Sequence, residues 1–140
     1  MDPDKKRILQ KEIADYSKTV FNRIYDSVKI EDVAVKIHPI RLRKPKQVYS
    51  RYTMRDEDTP NIGYITYLIK LGIGKEDVSD PMMTIWEQLY YNYNMDVAYM
   101  ASQIIPDQIL RHFFGDYSDT LVDNIMISDK NGNVIYSYER

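Results

Sequence analysis

The chain contains no cysteine, and His38 and His112 are its only two histidines. Without cysteine there are no disulfides, thiolate metal ligands or cysteine nucleophiles, and a zinc site would have to combine the histidines with carboxylates. Apolar runs are too short to span a bilayer, and residues 1–6 lack the apolar stretch of a signal peptide. We therefore expect a cytoplasmic protein, or one inside a particle that is assembled within the cell.

Phenylalanine and tryptophan are also scarce. The 140 residues include three phenylalanines and one tryptophan, but thirteen tyrosines. A tyrosine hydroxyl needs water or a hydrogen-bond partner, so this balance predicts rings at the rim of the core or in an interface. A bias in amino-acid usage is the competing explanation.

The charges are divided by position along the chain. Residues 1–55 contain fourteen Lys or Arg and seven Asp or Glu, whereas residues 56–140 contain five and fourteen. The net charges of the two parts are near +7 and −9, although the whole chain carries only −2. This division predicts either two partners of opposite charge or association between copies of the chain.

Apolar residues at steps of three and four predict three helices. The first covers residues 3–28 and begins after Asp2, a good N-cap residue. A second long helix covers residues 81–104 and begins with another Asp-Pro pair. A short helix covers residues 106–114 and ends before Gly115, where we expect a left-handed cap.

Alternating apolar and polar residues predict the strands. Three of them lie near residues 33–37, 48–54 and 64–71, with a short helix after Pro60 as the alternative to the last. Residues 124–138 predict a hairpin around an Asn-Gly turn.

The order of these elements predicts one α+β domain over residues 1–140. Two long helices and one short helix would pack on a mostly antiparallel sheet that ends in a hairpin. The helix over residues 3–28 would be about 39 Å long at 1.5 Å per residue. Because this exceeds what a small core covers, we expect part of it to project or to take part in assembly.

Positive charges cluster around the first two predicted strands, and they are the best candidates for binding an anion or an acidic partner. Cations interleaved with tyrosine rings are typical of β-sheet proteins that contact phosphates and stack on bases. Edge strands also collect Lys and Arg to prevent aggregation. The overall pI of 5.7 disfavours nucleic acid. The candidates are Lys36, Arg41, Arg43, Lys44, Lys46, Tyr49, Arg51, Tyr52 and Arg55.

The acidic part of the chain supports the opposite hypothesis, in which carboxylates imitate a row of phosphates and block a nucleic-acid enzyme. A solvated helical face is the simpler interpretation, because spaced carboxylates are common on helices. Asp116, Asp119 and Asp123 also suggest a cation site, as does the acidic run 56–58. Neither group has the spacing of a known ion loop. The candidate mimic residues are Glu87, Asp96, Asp107, Asp116, Asp119 and Asp123.

No pattern in the sequence identifies a catalytic centre. Residues 72–75 are too short for a phosphate-binding loop, and no serine has the setting of a nucleophile elbow. His38 lies in a basic strand and His112 near a helix end, so each is more simply a structural or surface residue. We expect no cofactor, no metal and no enzymatic activity. A small enzyme that combines carboxylates with one histidine is an alternative.

Methionine and aromatic residues form a stripe on the second predicted helix. Such a stripe is usually core, with Trp86 as its expected anchor, although similar stripes line adaptable grooves for partner helices. Adjacent aromatic residues cannot all face one core, so Tyr90, Tyr91 and Tyr93 are the expected partner-binding residues. The stripe consists of Met82, Met83, Trp86, Leu89, Tyr90, Tyr93 and Met100.

Together these patterns favour a non-enzymatic interaction or assembly subunit, for example in a viral or other large particle. The basic N-terminal part would meet an acidic C-terminal part, either in another protein or in a second copy, so a homo-oligomer is expected. A nucleic-acid-binding module, an acidic nucleic-acid mimic and a small enzyme are the alternatives.

Overall fold

The computed structural model describes residues 2–38, 64–78, 80–102, 104–115 and 121–139. In chain order its elements are α1 (Pro3–Ile24), β1 (Ile30–His38), β2 (Tyr64–Leu71), a 3₁₀ helix (Lys75–Asp77), α2 (Ile85–Tyr93), α3 (Val97–Met100), α4 (Ile104–Phe114), β3 (Leu121–Ser128) and β4 (Val134–Glu139). None of these helices is long and apolar enough to cross a membrane. The predicted strand over residues 48–54 and the alternative helix after Pro60 lie outside the described ranges.

The described strands form one sheet in the order β1-β2-β3-β4. The edge strands β1 and β4 pair antiparallel with β2 and β3, whereas β2 and β3 are parallel to each other. The parallel pair requires a crossover, and the segment that contains α2, α3 and α4 provides it. The predicted α+β fold with a mostly antiparallel sheet and a C-terminal hairpin is therefore confirmed.

One face of the sheet supplies the centre of the core. In β2, Ile65, Tyr67, Ile69 and Leu71 are almost completely buried, and the residues between them are half-buried, as the two-residue period of a strand requires. Helix α1 packs against β1 and contacts α4, with Phe21 fully buried. The helices therefore cover this face of the sheet.

Helix α1 ends at Ile24, so the prediction that it continues to residue 28 was wrong for its last turn. The side-chain amide of Asn22 binds the backbone of the first residue of β1, which holds the strand close to the helix end. The chain must therefore leave the helix and turn back at once. Tyr25 and Val28 bury their side chains in this connection instead of on a helical face.

Helix α2 begins later than the predicted residue 81. The Asp80-Pro81 pair forms a turn, in which the Met82 N–H donates to the Asp80 carboxylate at 2.9 Å. The helix starts after Thr84, whose hydroxyl accepts from the Glu87 N–H while the Glu87 carboxylate accepts from the Thr84 N–H. This capping box provides partners for two backbone donors and fixes the helix start.

The predicted continuous helix up to residue 104 is interrupted twice. Asn94 has left-handed backbone angles (φ 52°, ψ 37°) that end α2, and the Asp96 carboxylate accepts from two backbone N–H groups at the start of α3. A second break precedes α4, which begins at Ile104. Pro106 therefore lies in the first turn of α4, where its missing N–H is tolerated, and it does not begin the helix as predicted.

The last helix and the hairpin end in the expected kind of turn. Gly115 (φ 80°) follows α4, and Gly132 (φ 89°) lies between β3 and β4. The buried Asp129 carboxylate accepts from the N–H groups of Asn131 and Asn133, which fixes the hairpin turn. The left-handed cap at Gly115 and the hairpin are confirmed.

Candidate functional site

Most of the candidate basic site lies outside the described residues. Lys36 is the one member inside them, and it is exposed on β1 opposite Thr66 of β2. Binding of nucleic acid or an acidic partner by this region therefore stays a prediction. The members beyond the described ranges are Arg41, Arg43, Lys44, Lys46, Tyr49, Arg51, Tyr52 and Arg55.

Three rings on α2 form a continuous cluster in which Tyr90 contacts both Trp86 and Tyr91, and we call them the α2 aromatic cluster. Trp86 and Tyr90 stack with ring centroids 5.9 Å apart and an interplanar angle of 3°. Tyr91 meets Tyr90 edge-on, with centroids 5.0 Å apart and an angle of 81°. Tyr90 is 46% exposed and Tyr91 69% exposed, whereas Trp86 is half-buried against the core. The cluster therefore extends from the core into solvent.

The orientation of α2 explains why these rings face outward. Leu89 is fully buried, which fixes the side of the helix that faces the core. Tyr91 follows two positions later and lies on the opposite side, because successive residues are about 100° apart around a helix. Tyr90 is four residues after Trp86, a spacing at which helical side chains are neighbours. Of the expected partner-binding residues, Tyr90 and Tyr91 are exposed, whereas Tyr93 packs against the core.

The methionine and aromatic stripe is divided between core and surface. Leu89 and Met100 are fully buried, whereas Met82 is 88% exposed. Trp86, the expected core anchor, is half-buried, and Leu89 occupies the central core position on α2. The capping box at Thr84 sets the start of the helix, and this sequence signal was missed.

The α2 aromatic cluster lies in a segment with charge of one sign. Residues 76–110 include six carboxylates and no Lys or Arg. Glu87 caps α2 and Asp96 caps α3, so hydrogen bonds fix both side chains in place. Neither carboxylate forms an ion pair with a described residue. The segment that carries the rings is therefore acidic, although Lys130 pairs with two of its carboxylates, Glu76 and Asp77.

The row of carboxylates expected for a nucleic-acid mimic is described only in part. Asp107 is half-buried in the first turn of α4, and Asp123 is half-buried in β3. Helix capping accounts for the positions of the two candidates on α2 and α3 without a ligand. Asp116 and Asp119 lie outside the described residues, so the mimic stays a prediction.

A separate group of charges joins the hairpin turn to the 3₁₀ helix. The Lys130 Nζ lies 2.8 Å from the Asp77 carboxylate and 3.0 Å from that of Glu76. The Lys130 hydrogen bond lowers the pKa of Asp77, and the pKa of Glu76 is lowered by its own backbone N–H and then by Lys130 and Asn131. The same bonds raise the pKa of Lys130. The group holds two turns together.

The two histidines have different surroundings. The His38 Nε2 is hydrogen-bonded to the Thr66 hydroxyl at 2.9 Å on the exposed side of the sheet. His112 stacks on Tyr16, with ring centroids 4.4 Å apart and an interplanar angle of 3°, and this contact joins α4 to α1. Within the part of the chain that the structure describes, no group of three or more His, Asp or Glu could hold a metal ion. Non-catalytic roles for both histidines stay predictions.

Comparison with known proteins identified no relative of this chain. No model of a known protein family matches the chain, and no curated protein or solved structure is detectably similar to it. Its function therefore has to be inferred from its own residues.

Proposed function

We propose that the protein is a non-enzymatic interaction subunit that binds another protein through the α2 aromatic cluster. The observation that carries this proposal is that Tyr90 and Tyr91 are both exposed while Tyr90 stacks on Trp86 and Tyr91 contacts Tyr90. Trp and Tyr are enriched in protein interfaces and supply much of the binding energy there.

The packing of α2 on the core does not account for the two exposed rings. Leu89 already fills the core position of the helix, and Tyr91 lies on the side away from it. Single exposed hydrophobic residues are normal on a protein surface, but here three aromatic side chains form one continuous patch. Stacking also restricts the rings before a partner arrives, which reduces the conformational entropy lost on binding.

The charge around the cluster supports a cationic protein partner. Faces of Trp and Tyr rings attract Lys and Arg side chains. Glu87 and Asp96 add negative charge to the segment that carries the rings, and the sequence between residues 76 and 110 contains no Lys or Arg. A basic protein surface therefore fits the cluster better than an acidic protein or a nucleic acid.

A variant that carries both Tyr90→Ser and Tyr91→Ser tests the proposal. Proteins that the immobilised parent retains from an extract of its source are quantified by mass spectrometry. Loss of one interface hot spot costs about 2 kcal/mol, so retention of a true partner should fall by about 30-fold or more. Val134→Ser is the matched control, because Val134 is an apolar residue of β4 that is 53% exposed.

Circular dichroism and thermal unfolding establish that both variants keep the fold. The proposal is wrong if the double variant retains every protein that the parent retains. The nucleic-acid-binding alternative is favoured if the immobilised parent retains only nucleic acid. It is also favoured if nuclease treatment of the extract abolishes the retention of proteins.

A further inference from the structure

The first turns of α1 extend beyond the core. The helix has 22 residues and is about 33 Å long. Its first fully buried residue is Ile13, and the Gln10 side chain accepts from the Ile37 N–H near the end of β1. Most residues before Gln10 are exposed, including Ile8, an apolar side chain that is 54% exposed.

This part of α1 carries an excess of positive charge. Lys11 is paired with Asp15 at 3.4 Å. The other cations between residues 2 and 11, Lys5, Lys6 and Arg7, occur with two carboxylates, Asp2 and Asp4. One of these carboxylates caps the helix, and the other lies 3.7 Å from Arg7 in an exposed pair. Lys5 and Lys6 form no ion pair with a described residue. The exposed turns therefore combine unpaired cations with one apolar side chain.

The α2 aromatic cluster has the complementary properties. It offers ring faces for the cations and for Ile8, and it belongs to an acidic segment of the chain, residues 76–110. We propose that the partner of the cluster is a second copy of this chain, whose first two α1 turns dock on Trp86, Tyr90 and Tyr91. This inference rests on the proposed function and specifies its partner.

The contact has to form between two molecules. The Ser27 hydroxyl donates to the Tyr93 carbonyl at 2.6 Å, so α2 lies beside the end of α1 in the same chain. Lys5 is about 30 Å away from that end along the helix. The first turns of α1 therefore cannot reach the cluster of their own chain. Because the two surfaces differ, the contact is head-to-tail and produces either a closed ring or an open chain of copies.

Two variants test the two sides of this contact one at a time. The cluster variant carries Tyr90→Ser and Tyr91→Ser, and the helix variant carries Lys5→Glu and Lys6→Glu. Glutamate is favourable near a helix N-terminus, so the helix variant should keep its fold. The control carries Lys29→Glu and Lys75→Glu, which make the same change in net charge at two other exposed lysines.

Light scattering after size-exclusion chromatography measures the mass of each sample at about 0.1 M and about 1 M salt. At low salt the parent and the control should form species larger than a monomer, and high salt should dissociate them. Each variant alone should be monomeric. An equimolar mixture of the two variants should form a dimer of twice the monomer mass, because one intact contact remains.

Three results would overturn the inference. A parent that is monomeric at every concentration excludes self-association, and the capture experiment then decides the proposed function independently. A helix variant that assembles like the parent, while the cluster variant does not, places the partner surface elsewhere and leaves the proposed function standing. A mixture that stays monomeric shows that the α1 turns of the cluster variant do not dock on the intact cluster of the helix variant.

Discussion

Asn22 on α1 binds both backbone groups of a single residue, Ile30, at the start of β1, which is an edge strand of the described sheet. Its side-chain oxygen accepts from the Ile30 N–H at 2.8 Å, and its side-chain nitrogen donates to the Ile30 carbonyl at 3.1 Å. The amide therefore replaces a neighbouring strand at this point. Gln10 accepts from the Ile37 N–H at the other end of β1, so α1 provides partners for backbone groups of an edge strand.

Replacing Asn22 by alanine should lower the free energy of unfolding by about 1 to 2 kcal/mol. Two backbone groups lose their partners, and the higher helix propensity of alanine offsets part of the cost. Urea unfolding measures the change. Asn92→Ala, at an exposed position of α2, is the control and should have an effect within about 0.5 kcal/mol. Equal effects of the two substitutions would contradict the assigned role of Asn22.

The buried hydroxyl groups of Ser17 and Tyr67 are hydrogen-bonded at 3.2 Å, and their loss should be coupled. Tyr67→Phe or Ser17→Ala alone leaves one buried hydroxyl without this partner and should cost about 1 to 2 kcal/mol. The double variant should cost less than the sum of the two. Urea unfolding of the four proteins gives the coupling energy, which we expect to be about 1 kcal/mol. Strictly additive effects would show that the bond contributes nothing.

Tyr25 should make the protein sensitive to alkaline pH. Burial raises the pKa of its hydroxyl to about 12, and Tyr99 and Asp96 act in the same direction. Since an unfolded tyrosine ionises near pH 10, the stability present below pH 10 should be lost as the pH rises to about 12. Burial also raises the pKa of Tyr67, so the parent loses stability through both residues.

Tyr25→Phe isolates this contribution. The Tyr25 hydroxyl is buried without a hydrogen-bond partner among the described residues, so its removal should raise the free energy of unfolding by about 1 kcal/mol at pH 7. Urea unfolding at about pH 9 and about pH 11 should then show a smaller decrease than in the parent. An unchanged decrease would mean that Tyr25 ionises normally in the folded state.

Lys130→Met should flatten the dependence of stability on acidic pH. The pKa values of Glu76 and Asp77 are lowered in the folded protein, so they contribute stability above their normal pKa that is lost as the pH falls through the lowered values. Without Lys130 this loss should be smaller. Thermal unfolding between about pH 5 and about pH 3 measures it. Lys75→Met is the control, and it should retain the dependence of the parent.

The strands could be predicted from the sequence because their signal is local. Ile65, Tyr67 and Ile69 lie two residues apart in a run rich in β-branched and aromatic residues, and the two-residue period of a strand places them on one face. The division of the second predicted helix is different. Val97 and Met100 fit the same helical period whether or not the chain turns at Asn94, so the period could not reveal the break.

The candidate site depends on which side of α2 faces the core. Leu89 and Tyr90 are both apolar enough to fill that position, and only packing against the sheet decides between them. The capping box from Thr84 to Glu87 fixes where the helix begins and was visible in the sequence. The contact between α1 and α2 through Ser27 could not be predicted, because it joins residues far apart in the chain.

The parallel pairing of β2 with β3 also determines when the sheet can be completed during synthesis. The β3–β4 hairpin joins neighbouring segments, but β2 obtains its second neighbour only after the whole stretch between Leu71 and Leu121 has been made. Closing a loop of that length is slow compared with forming a hairpin. Until then β2, the most apolar of the described strands, has one edge unpaired, and an unpaired apolar strand is prone to aggregation.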